Sequence, residues 1–194
     1  QPEEWAGTLW ESEAMMVRLK RYGFTDAELI KYPAGETWDA VQGSIWEVKP
    51  GLRKIASIED NIIQLAANSA NTDLTADLVW VGRGTPAEIE AAKVEGKIVV
   101  TEGPMGQVYN VACNQKGALG IVAVIPARGN VDPYQMGWAS VGSGMRGGPR
   151  GAAAAAAPAT PPPPPKFGFQ IPVREGEILK QRLAANEKIS VKVK

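Results

Sequence analysis

The sequence predicts a mixed α/β fold, and three observations predict it. Residues 96–125 read as strand, turn, helix and strand, the unit from which parallel sheets are built. Residues 167–185 repeat the order of strand then helix. Residues 188–194 alternate strictly between apolar and polar positions, as a half-buried strand does.

Taken in order, residues 4–22 are expected to form the first helix, with Trp5, Leu9, Met16 and Leu19 near one stripe and Glu11, Glu13, Arg18 and Lys20 outside it. Gly23 stands where a left-handed cap ends a helix. The Met15-Met16 pair and the tryptophans are expected in the core. Residues 25–33 suit either a short helix or a strand. Residues 44–48 read as a strand ending at Lys49-Pro50-Gly51, and 52–58 as another with weaker alternation. Asp73 and Asp77 lack the spacing of a calcium loop and are read as solvated turn residues. A strand is expected over 77–82. Thr85, Pro86 and Glu88 then supply an N-cap, a first-turn proline and a capping box for the next helix. Capping also accounts for Gly82 and Gly84, since the third glycine of a dinucleotide-binding loop is missing.

In the central unit, Ile98, Val99 and Val100 form a buried strand, broken by Gly103 and Pro104. Val108, Val111 and Ala112 give a helix over 105–116 a narrow apolar face, Gly117 ends it, and 119–125 is the second strand. After Pro126 the composition becomes biased. Residues 129–151 are rich in glycine, and runs of alanine (152–157) and proline (161–165) follow. Six alanines are too few to hold a helix alone, and five prolines favour an extended polyproline helix. The segment 127–166 reads as an inserted Gly/Ala/Pro-rich loop; a sharper reading makes it a docking segment for a partner. Residues 167–172 resume a strand. Ile178, Leu179 and Leu183 mark an amphipathic helix over 175–185. In the last strand Ile189, Val191 and Val193 point inward, and the outward lysines are expected to guard a sheet edge.

These residues also carry a resemblance. Gly96-Lys97-Ile98-Val99-Val100, Glu102-Gly103-Pro104 and the run from Lys116 to Val122 resemble the protease-associated (PA) domain, in the version inserted in secreted di-zinc aminopeptidases of peptidase family M28. Gly23-Phe24, Asp26-Ala27-Glu28, Trp38-Asp39, residues 46–50 and residues 69–82 are similar to the start of such peptidases. Phe169-Gln170-Ile171-Pro172, with the helix and strand after it, resembles the end of the insertion. The resemblance implies a PA-like open β-barrel or sandwich flanked by helices, with residues 1–50 as the peptidase start and 51–194 as the PA-like domain. It favours a strand at about 28–32. It also implies a secreted, extracellular or periplasmic location.

Composition narrows the function. A net charge of zero gives no reason to expect nucleic acid or an anionic membrane as partner, and no stretch is apolar enough to span a bilayer. Residues 1–40 hold eight acids against four bases and 166–194 seven bases against three acids, which reads as two solvated faces. Cys113 has no second cysteine to pair with and is expected to be a small buried apolar residue. The chain contains no histidine. The resembled peptidases bind paired zinc through histidines and carboxylates, so none of that site transfers to this chain, and Ser/His or Cys/His nucleophile pairs are excluded as well. A carboxylate-only site stays open, but no pair of acids stands out.

No catalytic residue, cofactor or metal ligand is assigned. The reading is a non-catalytic domain for protein interaction or substrate access. Its partner is a protein or peptide, such as a catalytic peptidase domain or copies of itself. The alternative is a stand-alone extracellular structural or self-assembling subunit. The candidate rim comprises the turn 102–107 and the loop 132–138, with Glu102, Gly103, Pro104, Met105, Gln107, Tyr134 and Trp138 as its residues.

Overall fold

The computed structural model describes residues 6–30, 38–124, 132–141 and 164–194. The chain divides into two compact units, Gln1–Thr37 and Trp38–Lys194.

In the first unit, α1 (Ala6–Arg21) ends in a Schellman turn. Gly23 takes φ +95°, its N–H donates to the Lys20 carbonyl at 3.1 Å, and the Phe24 N–H donates to Leu19 at 3.2 Å. The expectation of a buried methionine and tryptophan here fails, because Trp10 and Met15 are exposed. Residues 25–30 form no strand; the rest of the strand expected near 28–32 lies outside the described residues.

Among the described residues of the second unit, seven strands form one sheet in the order β2-β1-β7-β3-β4-β5-β6. They are β1 (Ser44–Lys49), β2 (Arg53–Ser57), β3 (Leu74–Trp80), β4 (Ile98–Thr101), β5 (Gly120–Val124), β6 (Phe167–Ile171) and β7 (Ser190–Val193). Strands β3 to β6 run parallel, whereas β7 is antiparallel to both β1 and β3. The end strands β2 and β6 meet through the segment after β2: Leu65 bridges Phe169, and the Ala66 N–H donates to the Gly168 carbonyl at 2.9 Å. The sheet is thereby a nearly closed barrel, the architecture expected from the sequence, and helices flank it. The division at 37/38 leaves β1 paired within this sheet.

Alternation along the strands sorts the core into two layers. Ile98, Val100, Val122, Val124, Phe167, Phe169 and Ile171 face one way and pack with Ile45, Ile189, Val191, Val193 and Leu179 of α4 (Val173–Ala184). Val99, Ile121 and Ala123 face the other way, under α2 (Pro86–Ala92) and α3 (Met105–Tyr109). The capping box of α2 forms as predicted: the Thr85 N–H donates to Glu88 Oε2 at 2.8 Å, and the Glu88 N–H donates to Thr85 Oγ1 at 3.3 Å.

Four expectations need correction. The helix over 105–116 does not stay α-helical, because Asn110–Gln115 widens into a π turn. That turn presents the Cys113 carbonyl to Lys166 Nζ at 2.9 Å, and the same ammonium caps the Ala118 carbonyl at 2.5 Å. Strand β3 starts at Leu74 rather than 77, since Leu74 and Ala76 pair with Val193 and Val191. The lysines of the last strand guard no edge: α4 returns the chain to the middle of the sheet, where Lys192 pairs with Asp73. The tryptophans of this unit are not core residues as a class. Trp46 sits on the outward parity beside inward Ile45, Trp138 is exposed, and Trp80 alone packs in part against the inner layer. Of the Gly/Ala/Pro-rich segment, residues 132–141 and 164–166 are described; the alanine run and most of the proline run lie outside the described residues.

Candidate interaction site

The rim predicted at 102–107 is built where parallel strands β3 and β4 end side by side. Thr101, the last residue of β4, is fully buried and ties the two exits together. Its hydroxyl donates to the Gly82 carbonyl at 2.9 Å and accepts the Gly103 N–H at 2.9 Å, while the Glu102 N–H donates to the same Gly82 carbonyl at 2.9 Å. Gly103 is required here because a Cβ would lie 2.0 Å from the Arg83 carbonyl oxygen. Two turns are thus locked into one rigid ledge that carries Arg83, Glu102 and Pro104.

Helix α4 forms the facing wall, giving a cleft of about 410 Å³ lined by Arg83, Glu102, Pro104, Val124, Val173 and Glu177, with Gly103 in its floor. Lys180 bridges the two walls, 3.2 Å from Glu102 and 3.6 Å from Glu177, and its ammonium lies 5.5 Å from the Trp80 ring centroid. Hydrogen bonding to Glu102 is the first cause that raises the Lys180 ammonium above its ordinary pKa. The loop 132–135 is fastened to the same end of α4: the Arg174 N–H donates to the Pro133 carbonyl at 3.2 Å, and the Arg174 guanidinium lies 5.2 Å over the Tyr134 ring.

The candidate rim residues therefore separate. Glu102, Pro104 and Gln107 are exposed around the ledge, and exposed Tyr134 is carried by the α4 terminus that borders it. Met105 is 4% exposed and belongs to the outer core layer, and Gly103 is buried in the floor. Trp138 is 71% exposed, on the stretch that continues to the Ala67–Ser140 bridge and the Ala67 to Ala139 backbone bond. Sequence reasoning missed Arg83, Val124, Val173, Glu177 and Lys180. Each ends or follows a strand or lies on α4, and strand order is the signal that brings them together.

Asp73 is held below its ordinary pKa first by the hydrogen bond from Lys192, and Asp77 accepts a hydrogen bond from Ser190 Oγ at 2.5 Å. Among the described residues no group of three His, Cys, Asp or Glu side chains is placed to hold a metal ion. A second cleft, of about 470 Å³, lies at the opposite end of the parallel strands beside Trp38 and Asn71. There Trp38 Nε1 donates to the Ser69 carbonyl at 2.9 Å and Asp39 accepts the Ala40 N–H at 2.8 Å.

Cys113 is buried, and burial pushes its thiol up to about 12. Native protein at pH 8 is therefore expected to react with a thiol-specific disulfide at least ~100-fold more slowly than free cysteine, and at the ordinary rate after unfolding in guanidinium. A native rate near that of free cysteine would contradict the burial of this side chain.

The fold is of the class found within M28-family aminopeptidases. Similar solved structures include an aminopeptidase from Aneurinibacillus sp. strain AM-1, 22% identical with a TM-score of 0.55, matched over 96% of this chain and 38% of that chain. A peptidase M28 precursor from Shewanella amazonensis SB2B is 15% identical with a TM-score of 0.57, over 92% and 39%. BSAP, a zinc aminopeptidase from Bacillus subtilis, is 17% identical with a TM-score of 0.53, over 96% and 36%. The chain thus spans less than two-fifths of the length of these structures. No family model matches the sequence. No curated protein matches it either. No described helix is long and apolar enough to cross a membrane.

Proposed function

We propose that this chain is a PA-like, non-catalytic domain of an exported M28-type aminopeptidase and that it governs which peptides reach the neighbouring active site. One observation carries the reading: almost the whole chain matches, yet it matches under two-fifths of each peptidase, and it brings no histidine with which to build a zinc site of the M28 kind. The rigid ledge and the α4 wall are the surface on which such a domain meets peptide. The first 50 residues are the part proposed to belong to the peptidase start, and residues 51–194 the PA-like domain.

The test begins with the intact mass of the polypeptide as its source makes it. A product larger than 20.7 kDa by a peptidase domain is expected. Deleting residues 51–194 from that product should leave hydrolysis of a small aminoacyl amide within about threefold and change kcat/KM for peptides of roughly ten residues by tenfold or more. A native product of 20.7 kDa, or equal effects on short and long substrates, overturns the access reading. If that smaller product sediments as an oligomer, the self-assembling alternative takes its place.

A further inference from the structure

We infer that the cleft at the carboxyl ends of β3, β4 and β5 binds a peptide carboxylate, with Arg83 as its anchoring cation and Pro104, Val124 and Val173 as the wall for the adjoining apolar side chain. This rests on the interaction reading above and names the chemistry of that partner. The cleft lies where the helices on opposite faces of the sheet begin, α3 after β4 and α4 after β6, and ligand sites of parallel sheets lie at these strand ends. Its 410 Å³ falls within the size range of small-ligand sites, roughly 300–1,000 Å³.

The charges select the ligand. Lys180 is committed to Glu102 and Glu177 and lies over Trp80. Arg83 is exposed, and among the described residues its guanidinium makes no hydrogen bond or ion pair. Glu88, whose carboxyl is held below the ordinary range first by the hydrogen bonds from Thr85 and only to a smaller extent by Arg83, already spends Oε2 on both the Thr85 N–H and hydroxyl. A planar carboxylate matches the fork of an arginine with two parallel hydrogen bonds. Glu102 and Glu177 on the same rim repel a multiply charged anion, which disfavours a phosphorylated ligand over a singly charged one. The apolar wall asks for a side chain next to the carboxylate, which free acetate lacks and a peptide has.

Such a carboxylate comes either from an Asp or Glu side chain or from a peptide C-terminus. Four probes separate the sources: Ac-Ala-Leu-Glu-amide, Ac-Ala-Leu-Ala with a free C-terminus, the neutral Ac-Ala-Leu-Gln-amide, and Ac-Ala-Leu-phosphoserine-amide. They are titrated into the 194-residue chain, with backbone amide shifts as the readout. At least one carboxylate peptide should give saturable shifts at Arg83, Glu102 and Val173 with Kd of about 1 mM or tighter, and the neutral peptide should bind at least ~10-fold more weakly. Arg83→Gln should weaken binding about tenfold or more without moving the melting temperature, and Arg83→Lys should fall between.

No saturable shift with either carboxylate peptide up to about 5 mM overturns the inference. Equal binding of the neutral peptide, tighter binding of the phosphopeptide, or unchanged binding by Arg83→Gln each does the same. Carboxylate binding at the cleft with no effect of the domain on long-peptide hydrolysis leaves this inference standing and ends the access reading. An access effect that survives Arg83→Gln ends this inference alone.

Discussion

Replacing Phe167 with alanine is expected to lower the free energy of unfolding by about 3–4 kcal/mol, read as a urea midpoint shift at unchanged slope. The reason lies in its cross-strand neighbour. Phe167 and Gly120 are register partners across β6 and β5, and the Phe167 ring folds over the bare Cα of Gly120. A Cβ on Gly120 would meet three ring carbons at 2.3–2.6 Å. The ring is 2% exposed and stands edge-on to Phe169 at 6.2 Å between centroids. Alanine at 167 leaves a void that Gly120 has no side chain to fill.

The same geometry predicts a sign reversal. Gly120→Ala alone should cost about 1–3 kcal/mol through overpacking. In the Phe167→Ala background it should instead recover about 1 kcal/mol by filling the space. The double-mutant cycle should then show a coupling of more than about 2 kcal/mol. Additivity within about 0.5 kcal/mol would mean that the ring does not occupy this space.

Much of the fold was legible because its strands announce their buried parity. The alternation of Ile189, Val191 and Val193 and the β-branched run Ile98–Val100 need no knowledge of their neighbours. The capping box at Thr85 and the left-handed Gly117 at φ +75° are local chemistry and form as read. Strand order is different, because nothing within residues 188–194 records which strands will flank them. Outward lysines suit an edge strand and equally suit the exposed face of a central one. Lys192 is the second case, opposite Thr75 on one side and Trp46 on the other. The tryptophans misled for a related reason, since residue type predicts burial less well than parity does at Trp46.

The candidate site divides along the same line. Glu102, Gly103 and Pro104 were visible as a break after a strand. Arg83 lies between Gly82 and Gly84, which the capping account already explained, and it carried no signal of its own. It joins the ledge only because β3 lies beside β4 and because buried Thr101 locks the two exits together. Glu177 and Lys180 come from a helix whose inner face was predicted and whose outer face, lining the cleft, had no local signature.

Arg182→Ala is expected to destabilise the protein by about 3 kcal/mol, and the origin is a carboxylate placed inside the barrel. Glu47 occupies an inward position of β1 and is 2% exposed. Arg182 of α4 grips it with two parallel bonds, Nη1 to Oε2 at 2.7 Å and Nη2 to Oε1 at 2.6 Å. Arg53 Nε adds a bond to Oε2 at 3.3 Å, and Glu187 holds the other side of Arg182 at 2.7–2.9 Å. Removing Arg182 leaves Glu47 buried with only the longer contact from Arg53, the situation in which breaking a buried pair costs about 3–5 kcal/mol. Partial exposure of Arg182 favours the lower end.

The double replacement Glu47→Met/Arg182→Met removes both charges and should recover more than half of that loss, because the pair offsets its own desolvation only in part. The pH dependence carries the same signature. Hydrogen bonding from Arg182 is the first cause that holds the Glu47 carboxyl below its ordinary value of 4.5. With the native value depressed, the stability this group confers is fully present above about pH 4.5 and is lost as pH falls through the native value. Glu47→Gln should therefore be less stable than the parent at pH 7, and its disadvantage should shrink as pH falls below 4.5. A disadvantage that stays constant down to about pH 3 would place the worth of Glu47 in its shape and not in its charge.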